Sequence, residues 1–158
     1  MKYMGWAVAG LVLAAGAVGA VTAAPAVAPS PVAAIKMRQA SYKEMGGDFK
    51  AISDEIRTGS PDWTSVRASA RDLAARAPGQ QRLFVRGSGA EAGVRTRALP
   101  LIWADSAAFA RANADLVRAT AALDAAAQRG DLTGLVNARA MVGATCKGCH
   151  DKYRATDD

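Results

Sequence analysis

The chain has 158 residues and a formal net charge of +6, with 51% hydrophobic and 6% aromatic residues. That length supports one domain with a real core, and the alanine-, leucine- and valine-rich composition suits closely packed helices. The cations are spread along the sequence, with no Lys/Arg run interleaved with aromatics, which argues against a nucleic-acid binder and leaves a mildly basic surface.

The first 23 residues read as a signal peptide. Met1-Lys2 supplies a positive charge, Trp6 to Val21 is almost continuously apolar, and small residues follow from Val21 to Ala28. Cleavage is expected between Ala23 and Ala26. The apolar run is short for a membrane span of roughly 20 residues. Loss of the leader leaves nineteen basic against fourteen acidic residues, a net of +5. Residues 24–31, mostly Ala, Pro and Val, form a flexible entry. The domain is expected over 32–155, with a tail at 156–158.

Ile35, Arg38, Tyr42, Met45, Phe49, Ile52 and Ile56 follow at alternating steps of three and four. That spacing predicts a long amphipathic helix with a bundle-type seam. Arg38 is out of character on a buried stripe, because a buried charge needs a partner. A haem propionate would serve, and so would water reached by snorkelling. Gly46-Gly47 falls inside this pattern, as a close approach to a cofactor or helix, or as a break. Gly59, Ser60 and Pro61 read as a C-terminal cap, an N-cap and a first helical residue. Trp63, Val66, Ala70, Leu73 and Ala77 then predict a second helix.

Residues 78–99 are glycine-rich and aperiodic, with Leu83-Phe84-Val85 as one apolar patch expected to pin to the core. Pro100 is expected to open a third helix, in which Ile102, Phe109, Leu116 and Leu123 recur every seven residues. Gly130 closes it and Asp131 caps a fourth helix from about Leu132 to Tyr153 or Arg154. The fold class is all-α, an antiparallel four-helix bundle with one long loop between helices 2 and 3.

The last helix carries Cys146-Lys147-Gly148-Cys149-His150, which holds both cysteines and the single histidine of the chain. The spacing C-x-x-C-H is that of c-type haem attachment. Two thiols add to the haem vinyl groups and the imidazole ligates iron. On a helix, Cys146 and His150 are one turn apart on one side, and Cys149 is one turn from Cys146. A tetrahedral zinc site lacks a fourth ligand. A redox dithiol lacks its βαβ context. A disulfide across three residues closes almost no loop. A non-haem exported helical protein with that disulfide is the remote alternative.

Several stretches together resemble the cytochrome c′ family, the class II c-type cytochromes. They are Ile35-Lys36-Met37-Arg38-Gln39-Ala40 with Met45-Gly46, then Phe84 with Gly87-Ser88-Gly89, then Thr96-Arg97-Ala98-Leu99-Pro100 with Ile102-Trp103 and Phe109, and finally Cys146 to His150 with Tyr153-Arg154. The resemblance spans about 34–153 and implies a periplasmic four-helix bundle with one covalently bound haem. It implies thioethers at Cys146 and Cys149, His150 as proximal iron ligand, and Arg38 near the propionates. Tyr42 matches the distal position, as a lid over the open iron face. Relatives often form homodimers through the first two helices.

The sixth iron position decides the chemistry. With one histidine, bis-His ligation within the chain is excluded, which leaves Met, Tyr, Lys, water or no sixth ligand. A low-spin electron-transfer site would need Met45 or Met37, of which Met45 also reads as core filler. Phenolate ligation by Tyr42 is costly for a group with a pKa near 10. The expectation is a five-coordinate, high-spin iron in a protein of electron transfer, not an enzyme. It would pass electrons to redox partner proteins and bind small gases such as nitric oxide or carbon monoxide. The alternative is a six-coordinate, low-spin electron-transfer cytochrome with a Met ligand.

Overall fold

The computed structural model describes residues 28–156; the expected leader and its cleavage site lie outside them. The elements are α1 (Pro31–Thr58), α2 (Trp63–Arg76), a one-turn α3 (Leu101–Ala104), α4 (Ser106–Arg129) and α5 (Leu132–Tyr153). Three short 3₁₀ turns lie between α2 and α3. Helices α1, α2, α4 and α5 form the bundle. α1 packs on α2, α2 on α4 and α4 on α5, while α1 and α5 touch less. No described helix is long and apolar enough to cross a membrane.

The seam of α1 faces inward as its period demands. Ile35, Arg38, Met45 and Ile52 are buried, and Tyr42, Phe49 and Ile56 are half-buried. Ser30 caps the helix, its hydroxyl accepting from the Ala33 N–H at 3.3 Å. Gly59 ends it at φ 74°, a left-handed conformation that glycine adopts without steric cost.

α1 runs unbroken through Gly46-Gly47, and a Cβ at either would meet nothing within 4 Å. The pair is therefore neither a break nor a close approach to another helix. In a helix interior glycine costs about 1 kcal/mol relative to alanine. Gly47→Ala is expected to stabilise the protein by about 0.5–1 kcal/mol, read as a raised urea midpoint at unchanged slope. A lowered midpoint would show that the glycine serves a contact.

Two helix starts differ from the sequence expectation. α2 begins two residues later than Ser60-Pro61 suggested. Asp62 is the N-cap, accepting from the Thr64 N–H at 2.9 Å, while its own N–H donates to Glu55 Oε2 at 2.9 Å. The carboxylate of Glu55 thus fixes the cap at Asp62. The third helix is divided at Asp105, which leaves helical geometry (φ −123°, ψ 62°) and caps α4 by accepting from the Ala108 N–H at 3.1 Å. Asp105-Ser106 is a cap-type pair, and the seven-residue spacing of Ile102 and Phe109 masks it. Both residues still bury in one cluster.

The core lies in two parts. The larger joins α1, α2, α4 and α5 through Met45, Ile52, Val66, Leu73, Leu123, Leu135 and Val142. The smaller joins Ile102, Phe109 and Tyr153, with Phe84, Trp103 and Cys149 against it. Phe84, Phe109 and Tyr153 stack edge to face, with centroids 4.7 and 5.1 Å apart. The patch Leu83-Phe84-Val85 is pinned as expected, because Trp103 Nε1–H donates to the Phe84 and Val85 carbonyls at 2.9 and 3.1 Å.

Candidate haem site

Between the two core clusters lies a cavity of about 860 Å³. That volume falls in the range of about 300–1,000 Å³ usual for cofactor sites. Tyr42, Met45 and Phe49 of α1 line it, with Phe84 of the loop, Phe109 and Leu116 of α4, and Val142 of α5. Cys146, Cys149 and His150 line it as well. Cys146 packs against the larger cluster and Cys149 against the smaller. The two thiols therefore border the cavity on both sides of the divided core.

α5 supplies this arrangement because it stays helical through the motif to Tyr153. Asp131 starts it, accepting from the Gly134 N–H at 2.9 Å. Its far end is held by the loop: the Leu99 N–H donates to the Tyr153 carbonyl at 3.0 Å, and the Ala155 N–H to the Arg97 carbonyl at 2.9 Å. The two cysteines form no disulfide. Burial raises the pKa of each above its usual value. His150 is held below its usual pKa, first by burial and then by Arg97, with Asp151 opposing. A neutral imidazole is the form that binds a metal.

Arg38 is buried, 3% exposed, and it does not snorkel to water. Its four terminal N–H donors all have neutral acceptors. One nitrogen donates to the Leu83 carbonyl at 3.3 Å and Ser88 Oγ at 2.8 Å. The other donates to the Ser88 carbonyl at 2.6 Å and Thr96 Oγ1 at 2.7 Å. The guanidinium also lies 4.7 Å from the centroid of Phe84. Arg38 thus gathers residues 83–96, a loop it meets 45 to 58 residues away in sequence. None of these partners is a carboxylate, so a positive charge is held at the cavity wall.

Tyr42 lines the cavity one turn from both Arg38 and Met45, with its ring centroid 6.4 Å from that of Phe84. Its pKa is pushed above the usual value, chiefly by burial, then by Cys149 and Cys146, with Arg38 opposing. Burial is the largest of these causes. The phenol stays neutral. The two methionines separate clearly: Met45 is buried and lines the cavity, whereas Met37 is 51% exposed and does not.

Arg154 carries a contact that the sequence reading assigned no role. Its Nη1 lies 3.3 Å from His150 Nδ1. The four-residue spacing from His150 on α5 to Arg154 at its C-cap was the available signal.

The Cytochrome C′ family model matches residues 33–154. The chain belongs to the cytochrome c′ family. Cytochrome c′ of Allochromatium vinosum is 34% identical over 141 residues, 88% of this chain and 91% of that protein. The crystal structure of cytochrome c′ from Thermochromatium tepidum superposes with a TM-score of 0.77 at 36% identity, covering 82% of this chain and all of that one. A ferrous variant of cytochrome c′ from Alcaligenes xylosoxidans with bound nitric oxide superposes with a TM-score of 0.72 at 30% identity, covering 80% and 97%. Cytochrome c′ proteins carry a covalently bound c-type haem with iron. The donor set here fits one. Two half-buried thiols and the more exposed imidazole of one helix line the cavity, apolar walls face them, and a buried cation stands at the edge.

Proposed function

We propose that the chain is an exported, periplasmic cytochrome c′ of electron transfer that also binds small gases, with a five-coordinate, high-spin iron. Cys146 and Cys149 hold the haem through thioethers, and His150 is the proximal ligand. When bound, the haem supplies an iron that changes oxidation state and accepts a diatomic ligand. Tyr42 covers the other face as a neutral, bulky lid. Arg38 offsets propionate charge through space, since its terminal donors are engaged by the loop. The protein turns over no substrate in this reading, and it pairs with a second copy through α1 and α2.

The observation that carries the reading is the composition of the cavity wall. It presents one imidazole, from α5, and a phenol from α1 kept protonated by burial. Phenolate ligation is thereby disfavoured. Met37 lies outside the wall, so a thioether ligand would have to come from Met45, which is packed in the larger core cluster. Gas binding draws support from relatives: the Alcaligenes protein has nitric oxide bound in one solved structure and carbon monoxide in another. An apolar distal face with one hydroxyl suits these ligands better than dioxygen, which benefits from a polar donor.

The test is carbon monoxide binding to the reduced protein. Rapid binding is expected, and Tyr42→Ala should speed it about tenfold by removing the lid. Tyr42→Met should move the ferric spectrum toward low spin by offering a thioether ligand. Unchanged binding rates and spectra in both variants would remove Tyr42 from the distal face.

A further inference from the structure

The basic surplus looks scattered along the sequence, but the fold collects it. Three segments each contribute residues to the cavity wall: 31–43 of α1, 82–99 of the long loop, and 147–154 at the end of α5 and its C-cap. They contain ten Lys/Arg and two acids, Glu91 and Asp151. Of the chain's twenty basic and fourteen acidic residues, that leaves ten against twelve for everything else. Asp157 and Asp158 follow directly and lie outside the described residues; counted at the mouth, they still leave ten against four.

The cavity lining itself repeats the pattern. Its charged members are Arg38, Lys43, Arg95, Arg97 and Arg154, beside His150, with no carboxylate. Lys43 and Arg95 are exposed and make no ion pair among the described residues. Arg95 is held in place, its carbonyl accepting from Gln39 Nε2 at 2.9 Å. Lys147 pairs with Asp151 beside the motif; farther away, cations also sit beside acids: Lys50 and Arg57 on Asp54, Arg118 on Asp115, and Arg129 on Asp131.

We propose that this cationic rim is the docking face for an acidic redox protein. The inference rests on the haem reading above and names the partner of that site. A like-signed rim with balanced charge elsewhere orients an acidic partner toward the haem edge and repels basic ones. In the exchange one electron moves from the partner's reduced one-electron centre to ferric iron. The partner is oxidised, the iron is reduced, and no bond or proton is transferred.

The probe is an acidic [2Fe–2S] ferredoxin, titrated in its oxidised form into the oxidised, haem-loaded protein so that only binding is read. Measurements at about 0.01 M and about 0.1 M ionic strength shorten the Debye length from about 30 to about 10 Å. Binding should weaken at least about tenfold with that change. At low salt, Lys43→Glu with Arg95→Glu should weaken it about 10- to 100-fold, while Arg129→Glu at the far end changes it less than about twofold. Equal loss from Arg129→Glu, or full binding by the rim variant, would overturn the proposal. So would displacement of the ferredoxin by millimolar nitrite with a shifted ferric spectrum, which would make the rim a small-anion site. Covalent haem is scored separately on the same preparation after denaturation. Its absence would sink the haem reading, whereas the rim is judged by the salt and charge-reversal results.

Discussion

Cys146→Ala combined with Cys149→Ala is expected to yield protein with no covalently held haem. Denatured in alkaline pyridine, the variant should release all of its haem to organic solvent, where the parent retains it. The cause is direct: the two thiols are the only sulfhydryl groups in the chain, and both line the cavity. Each single variant should keep one thioether and a shifted haemochrome band. The double variant should also be markedly less stable. Tyr42, Phe49, Phe84 and Phe109 face the cavity, and a firmly bound group that only the folded state holds adds to stability by mass action. Haem that stays attached in the double variant would contradict the assignment.

Arg38→Met is expected to cost about 3–5 kcal/mol, measured by urea unfolding of the haem-loaded protein. Methionine fills the space but leaves the Ser88 hydroxyl and carbonyl, the Leu83 carbonyl and the Thr96 hydroxyl without their donor. The loop 83–96 should loosen first, seen as lost amide protection around Ser88. Arg38→Lys keeps the charge without the planar fork, so it should restore the haem reduction potential more fully than the stability. That split separates the charge acting on the haem from the scaffold acting on the loop. A loss below about 1 kcal/mol would mean that the loop is held by Trp103 and the aromatic stack instead.

Much of this architecture was legible in the sequence, for a physical reason. A buried helical face repeats every three to four residues, so Ile35 to Ile56 and Leu135 to Tyr153 announce their inward sides. The C-x-x-C-H motif is local, and its spacing on a helix fixes its geometry. Arg38 was visible as an anomaly, but not its partners. Those lie 45 to 58 residues away on a loop without periodicity, and only the folded chain brings them together. The same holds for the rim, since Lys43, Arg95 and Arg154 come from three separate segments.

The misplaced boundaries have a different origin. At Ser60-Pro61 the cap signal was real, but Glu55 offers a carboxylate to the Asp62 N–H and moves the cap by two residues. At Asp105 an unbroken seven-residue repeat concealed a break, because α3 and α4 bury Ile102 and Phe109 in one cluster. Gly46-Gly47 suggested a purpose in packing; no helix approaches it, while Gly46 lines the cavity.

The electron paramagnetic resonance spectrum of the purified ferric protein tests the central claim most directly. Five-coordinate iron, with His150 on one side and neutral Tyr42 over the other, gives an axial high-spin signal. A rhombic low-spin signal from the unmodified protein would place a sixth ligand on the iron and contradict the account.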